Sequence, residues 1–97
     1  MNIHDHTQIP ARMWGSINRY VESGIPPGHF LMAVLCNDLK AAVSHADEEN
    51  ITLLPVYVAY FYNHLPGNIW GDIKSVRAHL DSHTARRAEE EMKEEGL

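Results

Sequence analysis

The sequence predicts an all-α, compact four-helix domain with a charged C-terminal helical extension, and three observations carry that prediction. Apolar residues recur at spacings of three and four in four separate stretches, the signature of one buried stripe per helix. The two proline and glycine clusters, GIPPG at 24–28 and LPGNIWG at 65–71, fall between those stretches and read as joints. After His83 the apolar marks stop and charge takes over. The expected organisation is a flexible N-terminus over 1–9, one helical domain over 10–83 and a charged helical tail over 84–97.

The first helix begins at Pro10, and PARMWGSINRYVES places Met13, Ile17, Tyr20 and Val21 on one side. Gly24 supplies a left-handed residue to close it, and Pro26 and Pro27 stop it. Pro27 also suits the first turn of a second helix, where its missing N–H costs nothing. There FLMAVLCNDLKAAVSHA puts Leu31, Val34, Leu35, Leu39, Ala42, Val43 and Ala46 on one side. The polar DEEN at 47–50 reads as a turn.

Asn50 is placed to cap a third helix, with Pro55 in or just after its first turn and Leu54, Val58, Phe61 and Leu65 as the core stripe. The rival reading is a strand, because VYVAYFY at 56–62 is rich in β-branched and aromatic residues. The helical spacing and the absence of a second strand-like run to pair with decide for the helix. LPGNIWG then breaks it, and Asp72 caps a fourth helix carrying Ile73, Val76 and Leu80. The tail TARRAEEEMKEEGL is expected to face water, with Glu89 and Lys93 in the favourable order at i and i+4.

A chain of 97 residues has room for one core. With 44% hydrophobic and 22% charged residues its composition is that of an ordinary globular domain. The longest apolar run is far short of the ~20 residues a bilayer span requires, so no membrane association is expected. MNIHDHTQIP lacks a cationic lead and an apolar core, and the lone Cys36 cannot form an internal disulfide; both point to a cytoplasmic protein. Eight Lys and Arg against a net charge of −5 leave no footprint for direct nucleic-acid binding.

The templates for chemistry each lack a part. His79 and His83 stand four apart and His4 and His6 flank Asp5, but one cysteine and no metalloprotease pattern leave no metal set and no cofactor to expect, and the histidines read as exposed. Cys36 sits within the second apolar run, where a free cysteine behaves as a small hydrophobe, and no Gly-x-Ser-x-Gly elbow occurs. GIPPG lacks the Lys-Ser/Thr ending of a phosphate loop, and its prolines lack the N–H groups such a loop donates. These gaps predict a protein that is not an enzyme.

Binding candidates remain. Asn37 and Asp38 are poor helix formers inside the second helix, and Asp38 on the edge of its stripe must find donors. It either fixes a joint by accepting N–H groups from GIPPG or LPGNIWG, or belongs with Asn37 to a ligand site. Tyr57 and Tyr60, with His64, form a second face on the third helix, and Trp14 and Trp70 sit beside glycines; such residues suit core packing, an interface or stacking on a ring. Arg12 and Arg19, with Ser16 between them, make a weak cationic face, and His29 lies at the GIPPG joint.

GIPPGHFLMAVLCNDLKAAVSHADEEN followed by LPGNIWGDIKSV resembles small uncharacterised proteins of tailed phages and prophages, through the GIPPG-x-F-L, A-V-L-x-N-D-L and W-G patterns over roughly residues 19 to 80. The resemblance assigns no activity and no catalytic residue. It implies a context in which small acidic proteins act by occlusion, as in inhibitors of host defence. The expectation is a self-associating, non-enzymatic phage-encoded protein that neutralises a host factor in the host cytoplasm by docking onto a host protein. The alternatives are sequestration of a small nucleotide-like signalling molecule, and a structural or assembly part of the virion.

Overall fold

A computed structural model describes residues 2–95, with side chains through Glu91, as six α-helices and one 3-10 turn. The first helix, α1 (Ala11–Ser23), buries Ile17 and Tyr20 and packs Met13 and Val21 against the core, the stripe expected from the sequence. It closes at Gly24, whose φ of 58° is left-handed. There the Gly24 N–H reaches the Tyr20 carbonyl at 3.0 Å and the Ile25 N–H reaches that of Arg19 at 3.3 Å. A side chain at this position would be strained by φ and would also put its Cβ 2.5 Å from the Cβ of His83. The GIPPG corner therefore ends α1 and lets the C-terminal helix pass close against it.

The second helix expected from the sequence is two helices, α2 (His29–Leu35) and α3 (Leu39–His45). Asn37 takes a φ of 58°, and the Asp38 carboxylate accepts the Ala41 N–H at 3.1 Å as the N-cap of α3. The apolar spacing on either side was compatible with one rod; the local backbone preferences of Asn and Asp break it. The break frees the Leu35 carbonyl, which a continuing helix would have given to Leu39. It accepts the Gly71 N–H at 2.7 Å instead. The LPGNIWG joint is thus fixed to this region as anticipated, but by a backbone carbonyl and not by Asp38. With the rod bent back on itself, Leu39 and Val43 leave the core and stand 66% and 50% exposed.

DEEN is not a turn but the start of α4 (Glu48–Thr52). Asp47 caps it by accepting the Asn50 N–H at 2.7 Å, and Glu48 and Glu49 fill the first turn, where carboxylates complement the helix dipole. Asn50, expected as the cap, lies inside α4 and is buried; its Oδ1 accepts the Tyr57 hydroxyl at 2.6 Å.

Residues 54–62 are helical, within α5 (Leu54–His64), with Pro55 in the first turn. The buried face is Val56, Tyr57, Ala59 and Phe61, followed by Leu65 at the end; Val58, expected in the core, faces out. Because α5 is apolar around its circumference, spacing alone cannot choose the side that packs.

In the joint, Ile69 is buried and its carbonyl accepts the Tyr20 hydroxyl at 2.5 Å. Asp72 caps α6 (Ile73–Glu95) as expected, accepting the Ser75 N–H at 2.7 Å. Val76 is fully buried and Leu80 partly so, whereas Ile73 is exposed. The inner face of α6 serves the end of α1. His79 Nε2 donates to the Tyr20 carbonyl at 2.6 Å, and Arg87 Nη1 donates to the Ser23 carbonyl at 2.6 Å. His79, His83 and Arg87 share that face at four-residue spacing, and the Arg87 guanidinium is a cation favourably placed beside the α1 C-terminus. The side chain of Lys93, and with it the expected Glu89 pair, lies outside the described residues. At the other end the core begins at Ile9, which is 2% exposed, one residue before the expected boundary. Among the described residues no helix is long and apolar enough to cross a membrane.

Candidate functional site

Residues 2–9 fold back onto α1 and α5 through local polar chemistry. The Asp5 carboxylate accepts the Thr7 N–H at 3.2 Å and also the Thr7 hydroxyl, forming the 3-10 turn His6–Gln8; Thr7 holds the Asp5 carboxyl below its usual range. The Gln8 side chain donates to the carbonyls of Asn2 at 2.7 Å and Asp5 at 3.1 Å. The turn sets His6 among three other rings. Its centroid lies 5.9 Å from Trp14, 5.5 Å from Tyr60 and 5.4 Å from His64.

Trp14 and Tyr60 meet edge to face at 4.9 Å, and His64 stacks on Tyr60 at 4.8 Å, one helical turn further along α5. His6, Thr7, Ile9, Ala11, Trp14 and Tyr60 line an open groove of about 490 Å³. The half-buried Trp14 and Tyr60 keep apolar surface available beside polar atoms that can orient a partner.

The remaining candidates disperse. Arg12, at the start of α1, is bound to Glu49 at 2.7 Å and Asp47 at 3.2 Å. All three side chains are more than half exposed, so the pair clips α4 to α1 only weakly. Arg19 Nη2 donates to Ser16 Oγ at 3.3 Å within α1. Tyr57 is fully buried against Phe30 and Phe61 and takes no part in a surface site; burial pushes its hydroxyl up to about 12. Trp70 packs edge to face on Phe61 at 5.9 Å.

His29 and Asp38 do come together, in a groove of about 420 Å³ between α2 and α3. Met32, Cys36 and His45 also line it. His29 and His45 stack there, 5.1 Å apart and 24° from parallel, at the open end of the hairpin. Burial first, then the Asp38 carboxylate, pushes the Cys36 thiol up, away from the thiolate a nucleophile needs. Among the described residues no group of three or more His, Cys, Asp or Glu side chains is placed to hold a metal ion.

His6 is the site residue that spacing did not reveal, because its neighbours Trp14 and Tyr60 are 8 and 54 positions away in the chain. The pairing of Tyr60 with His64 was legible as an i, i+4 contact; the arrival of Trp14 and His6 was not. No protein-family model, no curated protein and no solved structure matches the chain.

Proposed function

We propose that this is a non-enzymatic binding protein that docks onto another protein through the aromatic corner of His6, Trp14 and Tyr60. The context taken from the sequence resemblance, a phage-encoded protein neutralising a host factor in the host cytoplasm, fits that mode of action. The observation that carries the reading is the groove beside Trp14 and Tyr60. Two half-buried rings of the residue types that dominate binding hot spots flank a shallow, open surface, the shape a protein partner fills.

Sequestration of a nucleotide-like molecule has less support. Such a site needs a cation or free N–H donors beside a stacking ring. Arg12 is bound to two carboxylates, and the Gly24 and Gly71 N–H groups bond to backbone carbonyls. The virion role has no particular feature in its favour.

The test is capture of a partner from bacterial lysate by immobilised protein, repeated with Ala11→Arg. Ala11 is exposed on the first turn of α1, so arginine fills the groove without disturbing the core. The reading expects a specific partner to bind the native protein and to be lost with Ala11→Arg at unchanged helical content. Equal capture by both proteins removes the corner from the function, and thermal stabilisation by a nucleotide would favour the sequestering alternative.

A further inference from the structure

The outward face of α5 carries a second, separate apolar surface. Pro55, Val58 and Tyr62 follow one another along α5 at intervals of three and four, with Ile51 of α4 four positions before Pro55, and all four are exposed. Tyr62 stands 77% exposed and Val58 42%. The surface is continuous on both sides. Leu54, Pro55, Val58 and Tyr62 share a groove of about 430 Å³ with Ile3, and Leu54 and Val58 share a neighbouring cleft with Leu39 of α3, beyond which Val43 lies one turn on. A helix that is apolar all round is ordinarily covered all round.

We infer that this face joins two copies of the chain, α5 against α5 about a twofold axis. The inference is independent of the docking corner, which lies on the opposite flank of α5. Two arguments select a second copy as the occupant. The first is charge. Each chain carries −5, so two copies meet without repulsion only through a face poor in carboxylates.

Of the residues lining the Ile3 and Tyr62 groove, His4 and Tyr62 are titratable and none is a carboxylate; the adjoining cleft has Asp38 alone, whose carboxylate is engaged as the α3 cap. A foreign partner selected by charge would call for a charged rim, whereas an apolar stripe without a free carboxylate lets two acidic copies meet in an isologous contact.

The second argument is area. The exposed parts of Ile3, Leu39, Val43, Ile51, Val58 and Tyr62 amount to on the order of 600 Å² per chain, at the upper end for a patch on a lone soluble protein. Complete coverage of the patch in both copies would bring it to the lower bound of a stable interface, about 1,200 Å².

Sedimentation equilibrium of the full chain at tens of micromolar tests this, alongside Val58→Asp and Tyr62→Asp. Both positions are exposed in the single chain, so the variants keep its core. The expected result is twice the chain mass for the native protein and a single chain mass for both variants, with helical circular dichroism unchanged. The urea midpoint of the native protein should also rise with protein concentration, and that of the variants should not. A native protein of single chain mass overturns the inference, as does a dimer that survives both substitutions. Recovery of a foreign protein on this face by a monomeric native chain overturns it too.

Discussion

The two faces of α5 are built from the same kinds of residue and meet opposite fates. Val56, Tyr57 and Phe61 are wholly buried; Pro55, Val58 and Tyr62, interleaved with them, are exposed. Hydrophobicity alone does not separate them. The inner face carries the rings that Phe30, Trp70 and the buried Asn50 can receive: Phe30 lies 5.2 Å from Tyr57, Trp70 lies 5.9 Å from Phe61, and Asn50 accepts the Tyr57 hydroxyl. Among the described residues the outer face has no such receivers. An apolar pattern states how much surface must be covered, and the arrangement of neighbours states which part of it is.

That difference should be large in a stability measurement. Phe61→Ala removes a fully buried ring in contact with Tyr57, Tyr60 and Trp70, and should cost about 3–5 kcal/mol in urea denaturation. A cost near that of a surface change would mean that the inner face is not the core.

Tyr57→Phe keeps the ring and deletes one hydroxyl, leaving Asn50 Oδ1 buried without its donor. It should cost about 1–2 kcal/mol by the same measurement, and Asn50→Leu in the same chain should recover part of the loss.

Tyr57 also gives the inner face a dependence on alkaline pH. Burial raises its folded value to about 12 from an ordinary 10.0, so its stabilising contribution is complete below pH 10 and is lost as pH rises through 12. The full loss is about 2–3 kcal/mol. Denaturation midpoints measured between pH 9 and 12 should fall, and Tyr57→Phe should shallow the slope. Tyr20 and Cys36, raised in the same direction by burial, add to the fall.

At the exposed end of the scale, Val58→Ser should change the unfolding free energy of the single chain by no more than about 0.5 kcal/mol, read in the monomeric Tyr62→Asp background. A larger cost would place Val58 in the core after all. Acid should loosen the starts of α4 and α6. The backbone N–H of Asn50 holds the Asp47 carboxyl below its usual value, and that of Ser75 does the same for Asp72. Depressed carboxylates stabilise above the ordinary value of 3.8, and that contribution disappears as pH falls below it. Asp47→Asn, an equally good cap, should flatten this acid limb in a pH series of thermal melts.

Several parts of the fold were legible because short-range chemistry fixes them. Gly24 followed by two prolines admits few conformations, and Asp72 ahead of Ile73 and Ser75 is a cap by its spacing alone. The helical state of 54–62 followed, despite its strand-like composition, from the spacing together with the lack of a second strand-like run to pair with, although Val58 of the expected stripe faces out. The break at Asn37 and Asp38 was visible only as poor propensity, and its consequence, a free Leu35 carbonyl bound to Gly71, involves a residue 36 positions away. Of the candidate site, Tyr60 with His64 was local, whereas Trp14 and His6 arrive from other elements.

Read by itself, the chain specifies helices, most of their ends and a surplus of apolar surface, because each depends on residues within about one turn of one another. It leaves open which side of α5 packs inward, whether Asp38 holds a loop or a helix, and which rings form a corner. Those outcomes rest on contacts between residues distant in sequence, whose competing arrangements are equally apolar and differ only in fit and in the pairing of buried polar groups.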